Sequence, residues 1–202
     1  MTASRVLHIL KFCVNIYVMS SHEAFLQAIR QEMPYIEPLE RARAYVDMDQ
    51  TGITFLHPQS KLSHKVFTDG LIGCTAAALI ATYDDGARFA YLQHFHPERH
   101  AQGQTEIENV LRAIEHSGAL LAAGVVYTPG EKRGLFRPEH IPKYPWVHDL
   151  FGTISAATRG KASVLLRSYP SPGREHSLAV SVSTKRRESG IVLDQRSIAS
   201  RL

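Results

Sequence analysis

Apolar positions along the chain follow two periods, one helical and one of strands, and the two alternate without internal repeats. Ala24, Phe25, Ala28 and Ile29 share one face of a helix predicted over residues 20 to 33. Ser20 and Glu23 have the spacing of a capping box at its start, and Pro34 and Pro38 mark its end. Residues 42 to 48 and 52 to 57 predict strands, with Asp49 to Gly52 as a turn, and 62 to 67 a shorter strand. A loop from Thr68 to Gly73 follows, with glycine at both 70 and 73. Cys74 to Tyr83 is then a run of small and apolar residues ending in Asp84-Asp85-Gly86, a tight-turn signal, and Ala87 to Phe95 returns as the second arm of a hairpin. Cys74 opens one arm and His94 closes the other, so both ends lie on the same side of the sheet.

Helical spacing returns at Ile107, Val110, Leu111 and Ile114, with Thr105 and Glu108 as a second capping box and Gly118 as the stop. Residues 119 to 127 read as a buried strand, followed by a long loop at 128 to 145. Val147, Leu150, Phe151 and Ile154 mark a third helix ended by Gly160. Three strands close the chain at 162 to 168, 176 to 184 and 189 to 194, with Ser171-Pro172-Gly173 a turn between the first two. Helices set within a run of strands predict an α/β protein: a single-domain layered sandwich, its mixed β-sheet or sheets with helices packed outside. The domain spans 20–202 after an extension over 1–19. That extension is apolar from Val6 to Met19 but broken by Lys11 and Asn15, too short to span a bilayer. It reads as a weak signal or anchor without a clean cleavage site, or as an upstream start with Met19 the natural beginning.

Composition narrows the picture. With 202 residues, 44% hydrophobic and 21% charged, the chain suits one soluble domain able to bury a core without staples. A net charge of +4 is mild and implies neither a nucleic-acid partner nor a membrane. The basic run Lys185-Arg186-Arg187 falls at a hairpin turn and reads as solvated. The two cysteines, Cys13 and Cys74, make no disulfide framework and no zinc finger. Cys13 reads as a core or tail residue.

A thiol becomes a useful nucleophile when a base takes its proton, a third group orients the base, and donors hold the oxyanion. Cys74 ends a glycine-containing loop, and glycine lets backbone N–H groups converge on one point. Gly70, Leu71 and Gly73 therefore form a candidate oxyanion loop. His94 and His96 alternate onto one face of their strand, so either could be the base. Thr68, before the glycine turn, offers an orienting hydroxyl. Each residue also has a plainer reading: Cys74 as a small residue opening a buried strand, Thr68 as a turn cap, His94 as a satisfied histidine at a strand end.

The segment T-D-G-L-I-G-C, from Thr68 to Cys74, resembles the T-x-G-L-G-S-C loop of the chemoreceptor glutamine deamidases (CheD). It also resembles the T-x-x-L-S-G-C loop of the Burkholderia lethal factor and, more loosely, the cytotoxic necrotizing factors. In both this chain and the family, a small apolar strand, a Y-D turn (Tyr83-Asp84) and a strand ending near H-F-x-x-P follow; here His94-Phe95-His96-Pro97 stands at that place. The likeness covers roughly residues 65 to 130. It implies a CheD-like fold and a Cys-His-Thr triad of Cys74, His94 and Thr68, with His96 as the alternative base. It also implies a cysteine hydrolase that converts a glutamine side chain of a protein substrate to glutamate through a thioester, without cofactor or metal. Such a protein is either a chemoreceptor-modifying enzyme in the cytoplasm or a toxin-like effector secreted into a host cell.

Two other readings come from different classes. His94, His96 and Pro97 resemble the first metal-binding motif of the cupins, with His100 nearby. Alternatively, the same fold serves as a non-catalytic binding domain. The loop at 128 to 145, with Lys132, Arg133, Arg137, Tyr144 and the adjoining Trp146, reads as a recognition edge or an ordinary surface loop. Oligomeric state is left open by the sequence.

Overall fold

A computed structural model describes residues 19–39, 41–132, 140–170, 175–185, 189–193 and 196–198. Residues 1–18 with Cys13, Arg133 and Arg137, the Ser171-Pro172-Gly173 turn, and Arg186 and Arg187 lie outside the described residues. The first helix, α1 (Ser21–Glu32), starts as the capping box requires: the Ser20 hydroxyl accepts from the Glu23 N–H, and the Glu23 carboxylate accepts from the Ser20 N–H at 3.0 Å. Phe25, Ala28 and Ile29 form its buried face.

Helix α2 (His100–His116) begins earlier than the sequence predicts. Pro97 opens a 3-10 turn over Pro97–Arg99 that runs directly into it. Thr105 is therefore inside the helix and caps nothing. Its hydroxyl donates to the Ala101 carbonyl at 3.0 Å, and Glu108 accepts from Gln104 at 3.2 Å. A mid-helix threonine bonding one turn back gives the same S/T-x-x-E spacing as a cap. Helix α3 (Trp146–Ala157) follows, and Gly160 beyond it takes a positive φ of 74°.

The strands are β1 (Arg43–Tyr45), β2 (Gln50–Leu56), β3 (Ser63–Leu71), β4 (Thr75–Thr82), β5 (Arg88–Phe95), β6 (Leu120–Lys132), β7 (His140–Pro142), β8 (Ser163–Pro170), β9 (His176–Ser183), β10 (Gly190–Leu193) and β11 (Arg196–Ile198). They form two mixed sheets. One runs β2-β5-β4-β6-β7, with β8 parallel to β6. The other runs β1-β3-β9-β10-β11, with β1 parallel to β3. Consecutive strands β1 and β2 thus sit in different sheets, and so do β3 and β4. Gly52 lies inside β2, so the turn falls earlier than predicted, before Gln50. Much of the predicted 128 to 145 loop is strand, in β6 and β7.

Alternation along β4 sets the layers. Ala77, Leu79 and Ala81 face all three helices, packing with Phe25, Ile107, Val110, Val147 and Ile154. Ala76, Ala78 and Ile80 face the second sheet and meet Val66, Leu178 and Val180. The result is a single layered α/β sandwich: helices, then the β4 sheet, then the β3 sheet. The alanines of β4 and β5 keep the sheets close. Gly52 marks the tightest approach, since a Cβ there would sit 2.5 Å from Val46 and 2.9 Å from Val66.

Gly52→Ala should therefore lower stability by about 1–3 kcal/mol, the usual result of overpacking a closed core. Denaturant unfolding of the purified variant measures it, and an unchanged midpoint would show that the sheets part without cost there.

Candidate functional site

The two sheets meet at one end in a polar contact. Thr68 comes from β3 and His94 from β5, and both are buried. Thr68 Oγ1 lies 2.8 Å from His94 Nδ1. The segment predicted as the Thr68–Gly73 loop is mostly strand: β3 runs through to Leu71 and only Ile72 and Gly73 remain outside it. A bulge interrupts β3 between Thr68, paired with Leu178, and Leu71, paired with His176. Gly70 takes φ 67° within that bulge, a conformation that suits glycine. The extra residue turns the chain out of the β3 sheet toward the neighbouring sheet, where Cys74 precedes β4.

Across the hairpin, Ala76 pairs with His94 and Thr75 with Phe95. Cys74 lies two positions before Ala76, and both belong to the core between the sheets. Thr68, His94 and Cys74 therefore converge on one end of that core. His96 does not join them. Its ring is partly exposed and its Nδ1 accepts from the Glu98 N–H at 3.4 Å, capping the 3-10 turn. His100 also points elsewhere, stacked on Trp146 with centroids 5.2 Å apart. Among the described residues, no group of three His, Cys, Asp or Glu side chains is placed to share a metal ion.

One tautomer of His94 satisfies every polar group around Thr68. The Thr68 hydroxyl has one proton and reaches the Asp69 carbonyl at 3.4 Å. With its proton on that carbonyl the hydroxyl accepts from Nδ1–H of His94, and in that tautomer Nε2 is the basic nitrogen. Nε2 is buried and has no hydrogen-bond partner. Burial lowers the pKa of His94 from the usual 6.5, against the opposing pull of Asp47, Asp49 and Asp69. The ring is accordingly neutral at pH 7.

Cys74 is 7% exposed, and its thiol donates to Met48 Sδ at 3.6 Å. Burial pushes its pKa up, a backbone hydrogen bond from Gly73 pulls it down, and Asp49 adds to the rise. The resting pair is a neutral thiol and a neutral imidazole, and not the preformed thiolate of a permanently activated cysteine.

Several residues shape the site without a signal in the sequence motif. Met48 covers the thiol. Asp49, at φ 61°, accepts from the His96 N–H at 3.0 Å and pairs with Arg99 at 3.5 Å. The Tyr169 hydroxyl donates to the Cys74 carbonyl at 2.5 Å and that of Tyr144 to the Gly73 carbonyl at 3.5 Å. In a trans peptide the N–H points opposite to the C=O, so Tyr144 sets the direction of the Cys74 N–H. Tyr144 and Trp146 stack on each other at 5.6 Å beside Phe95. Cys74 lines neither of two clefts that border this end, one of about 850 Å³ beside Tyr45 and Phe67 and one of about 670 Å³ beside Tyr35, Asp49, Gln102 and Glu106. No helix among the described residues is long and apolar enough to cross a membrane.

A search of family models finds none that matches the chain, and a search of curated proteins finds no match either.

His94 and His64 are both held below the usual 6.5 by burial. The unfolded chain takes up these protons first, so stability should fall as pH drops below about 6.5. Urea midpoints at pH 7.5 and pH 5 measure the fall, and His94→Gln should reduce it; an equal fall in that variant would place the acid sensitivity elsewhere.

Proposed function

We propose that this protein is a cysteine-dependent protein-glutamine deamidase, with Cys74 the nucleophile, His94 the general base and Thr68 the residue that orients it. The observation that carries the reading is the buried Thr68–His94 hydrogen bond across the sheets, with an unpartnered Nε2 and Cys74 at the same end of the core. A histidine placed only for packing gains from bonding both nitrogens; this one keeps one nitrogen in reserve. The likeness of the Thr68–Cys74 loop to the CheD and lethal-factor loops supports the same roles.

In this mechanism, Nε2 takes the thiol proton as sulfur attacks the carboxamide carbon of a glutamine side chain. The oxyanion is met by backbone N–H groups of the Gly73–Cys74 segment, with Tyr144 fixing the Cys74 N–H and Tyr169 holding the peptide that follows. Collapse of the tetrahedral intermediate breaks the C–N bond, and the Nε2 proton leaves with ammonia. Water then adds to the thioester, giving its proton to Nε2; the C–S bond breaks, sulfur recovers the proton, and glutamate is released. The target gains a negative charge, enough to switch a binding interface. Because the resting thiol is protonated, activation happens only when substrate moves Met48 aside and the base acts. Glycines 70 and 73 with Leu71 supply the bulge and turn that aim the segment.

Wild-type protein should convert glutamine to glutamate in a blocked glutamine peptide or a target protein, read by mass spectrometry, and Cys74→Ser should not. His94→Gln should lose roughly 10²–10⁴-fold in kcat. Thr68→Val should lose part of that, with Thr68→Ser retaining most of the activity. The rate should rise with pH on an acid limb whose midpoint lies below about 6.5, because the lowered His94 is the basic form there. Full activity in Cys74→Ser would sink the reading.

A further inference from the structure

Exposed apolar side chains stand at the end of the sandwich that holds Cys74. Tyr45, Met48 and Ile72 are large hydrophobics that are each nearly half exposed. Met48 covers the sulfur from the β1–β2 turn, Ile72 lies two residues before Cys74, and Tyr45, at the end of β1, stands on the outer face of the β3 sheet beside Phe67 and Asp69. Met48 touches the sulfur itself. A thiol buried beneath such a lip is reached by displacing apolar groups.

The lip is rimmed by acids. Asp47 and Asp69 are exposed, and Asp69 is held by the Tyr45 hydroxyl at 2.9 Å. That bond, with burial and the nearby charges of Asp69, Asp47 and Glu175, pushes the Tyr45 pKa up to about 12. Glu175 precedes His176, the partner of Leu71, and so comes alongside Ile72. Asp49 is already paired with Arg99. Among the described residues no cation comes within ion-pair distance of Asp47, Asp69 or Glu175, and two basic side chains of that sheet, Arg43 and Lys65, lie over Phe67. This acidic lip stands on a chain whose net charge is +4. His94, 97% buried and with Nε2 unpartnered, lies within electrostatic reach of Asp47, Asp49 and Asp69, so these acids stand at the same end of the sandwich as the site.

We infer that Tyr45, Met48 and Ile72 with Asp47, Asp69 and Glu175 form a docking lip for an exposed, basic segment of another protein, whose glutamine is flanked by apolar and Lys or Arg residues. This rests on Cys74 acting on a glutamine side chain. The apolar flank replaces Met48 over the thiol, and the basic flank pairs with the carboxylates. A flexible thioether suits a cover that must move, since it repacks against varied partners.

The test reads charge at Cys74 without requiring turnover. The full chain is treated at low ionic strength with trimethylammonium-ethyl or sulfonato-ethyl methanethiosulfonate. Modification of the Cys74 peptide is followed by mass spectrometry, with rates normalised to the same reagents on 2-mercaptoethanol. The cationic reagent should be favoured by roughly fivefold or more, and Asp47→Asn with Asp69→Asn, which keep the hydrogen-bond acceptors, should erase most of that preference. In parallel, a blocked Lys-Leu-Gln-Leu-Lys peptide should protect Cys74 from neutral methyl methanethiosulfonate at lower concentration than Glu-Leu-Gln-Leu-Glu. The peptide comparison needs no variant, so a poorly folded double variant leaves the test intact. A normalised ratio near one, or equal or absent protection by the two peptides, overturns the docking lip even if glutamine is deamidated. Charge preference and basic-peptide protection without any glutamate product uphold the lip and overturn the deamidase reading. No reaction at Cys74 with any reagent overturns the docking lip and leaves the glutamate assay to decide the deamidase reading.

Discussion

A buried imidazole must find a partner for at least one nitrogen or pay a desolvation penalty of about 1–3 kcal/mol. In this molecule the partner comes from the opposite sheet, and much of the site depends on that single contact. The Thr68 hydroxyl on β3 and His94 on β5 meet only because the inter-sheet core is thin at this end. Alanines at 76, 78 and 90 supply the thinness, and Gly52 allows β2 to pass beneath Val46 and Val66. The β3 bulge then delivers Cys74 from one sheet to the other within a few residues of Thr68.

Burial governs the chemistry as much as the geometry does. It holds the thiol protonated and the imidazole neutral, so the uncharged form of each is the resting one. Acids near the ring oppose this shift without reversing it. On the deamidase reading proposed above, this keeps the nucleophile quiet until a substrate arrives, which would suit a protein that modifies other proteins. The tyrosine hydroxyls on the Gly73 and Cys74 carbonyls add rigidity where an oxyanion would need it.

The β1–β2 turn ties these parts together. It crosses from one sheet to the other, so its residues reach both. Met48 covers the sulfur, Asp49 holds the His96 N–H, and Gln50 pairs with His94 in the ladder. Asp49 adopts a left-handed conformation to do so, a modest strain tolerated at turns by short polar side chains. The same turn carries the exposed charge and apolar surface that surround the thiol.

Local rules were readable in the sequence wherever neighbours along the chain decide the outcome. The Ser20–Glu23 cap, the Asp84–Gly86 hairpin and the placement of Cys74 and His94 at its open end follow from short-range spacing. The same rules misled at Thr105, where a back-bonding hydroxyl mimics a cap, and at residues 68 to 71, where glycine marked a bulge and not a loop. The Thr68–His94 contact, the choice of His94 over His96 as its partner, the Met48 cover and the tyrosine clamps were decided by the tertiary structure. They join residues from different sheets, and which strands share a sheet depends on long-range packing that no local period encodes. Sequence determined what each segment is; the closing of two sheets over small residues determined which segments touch.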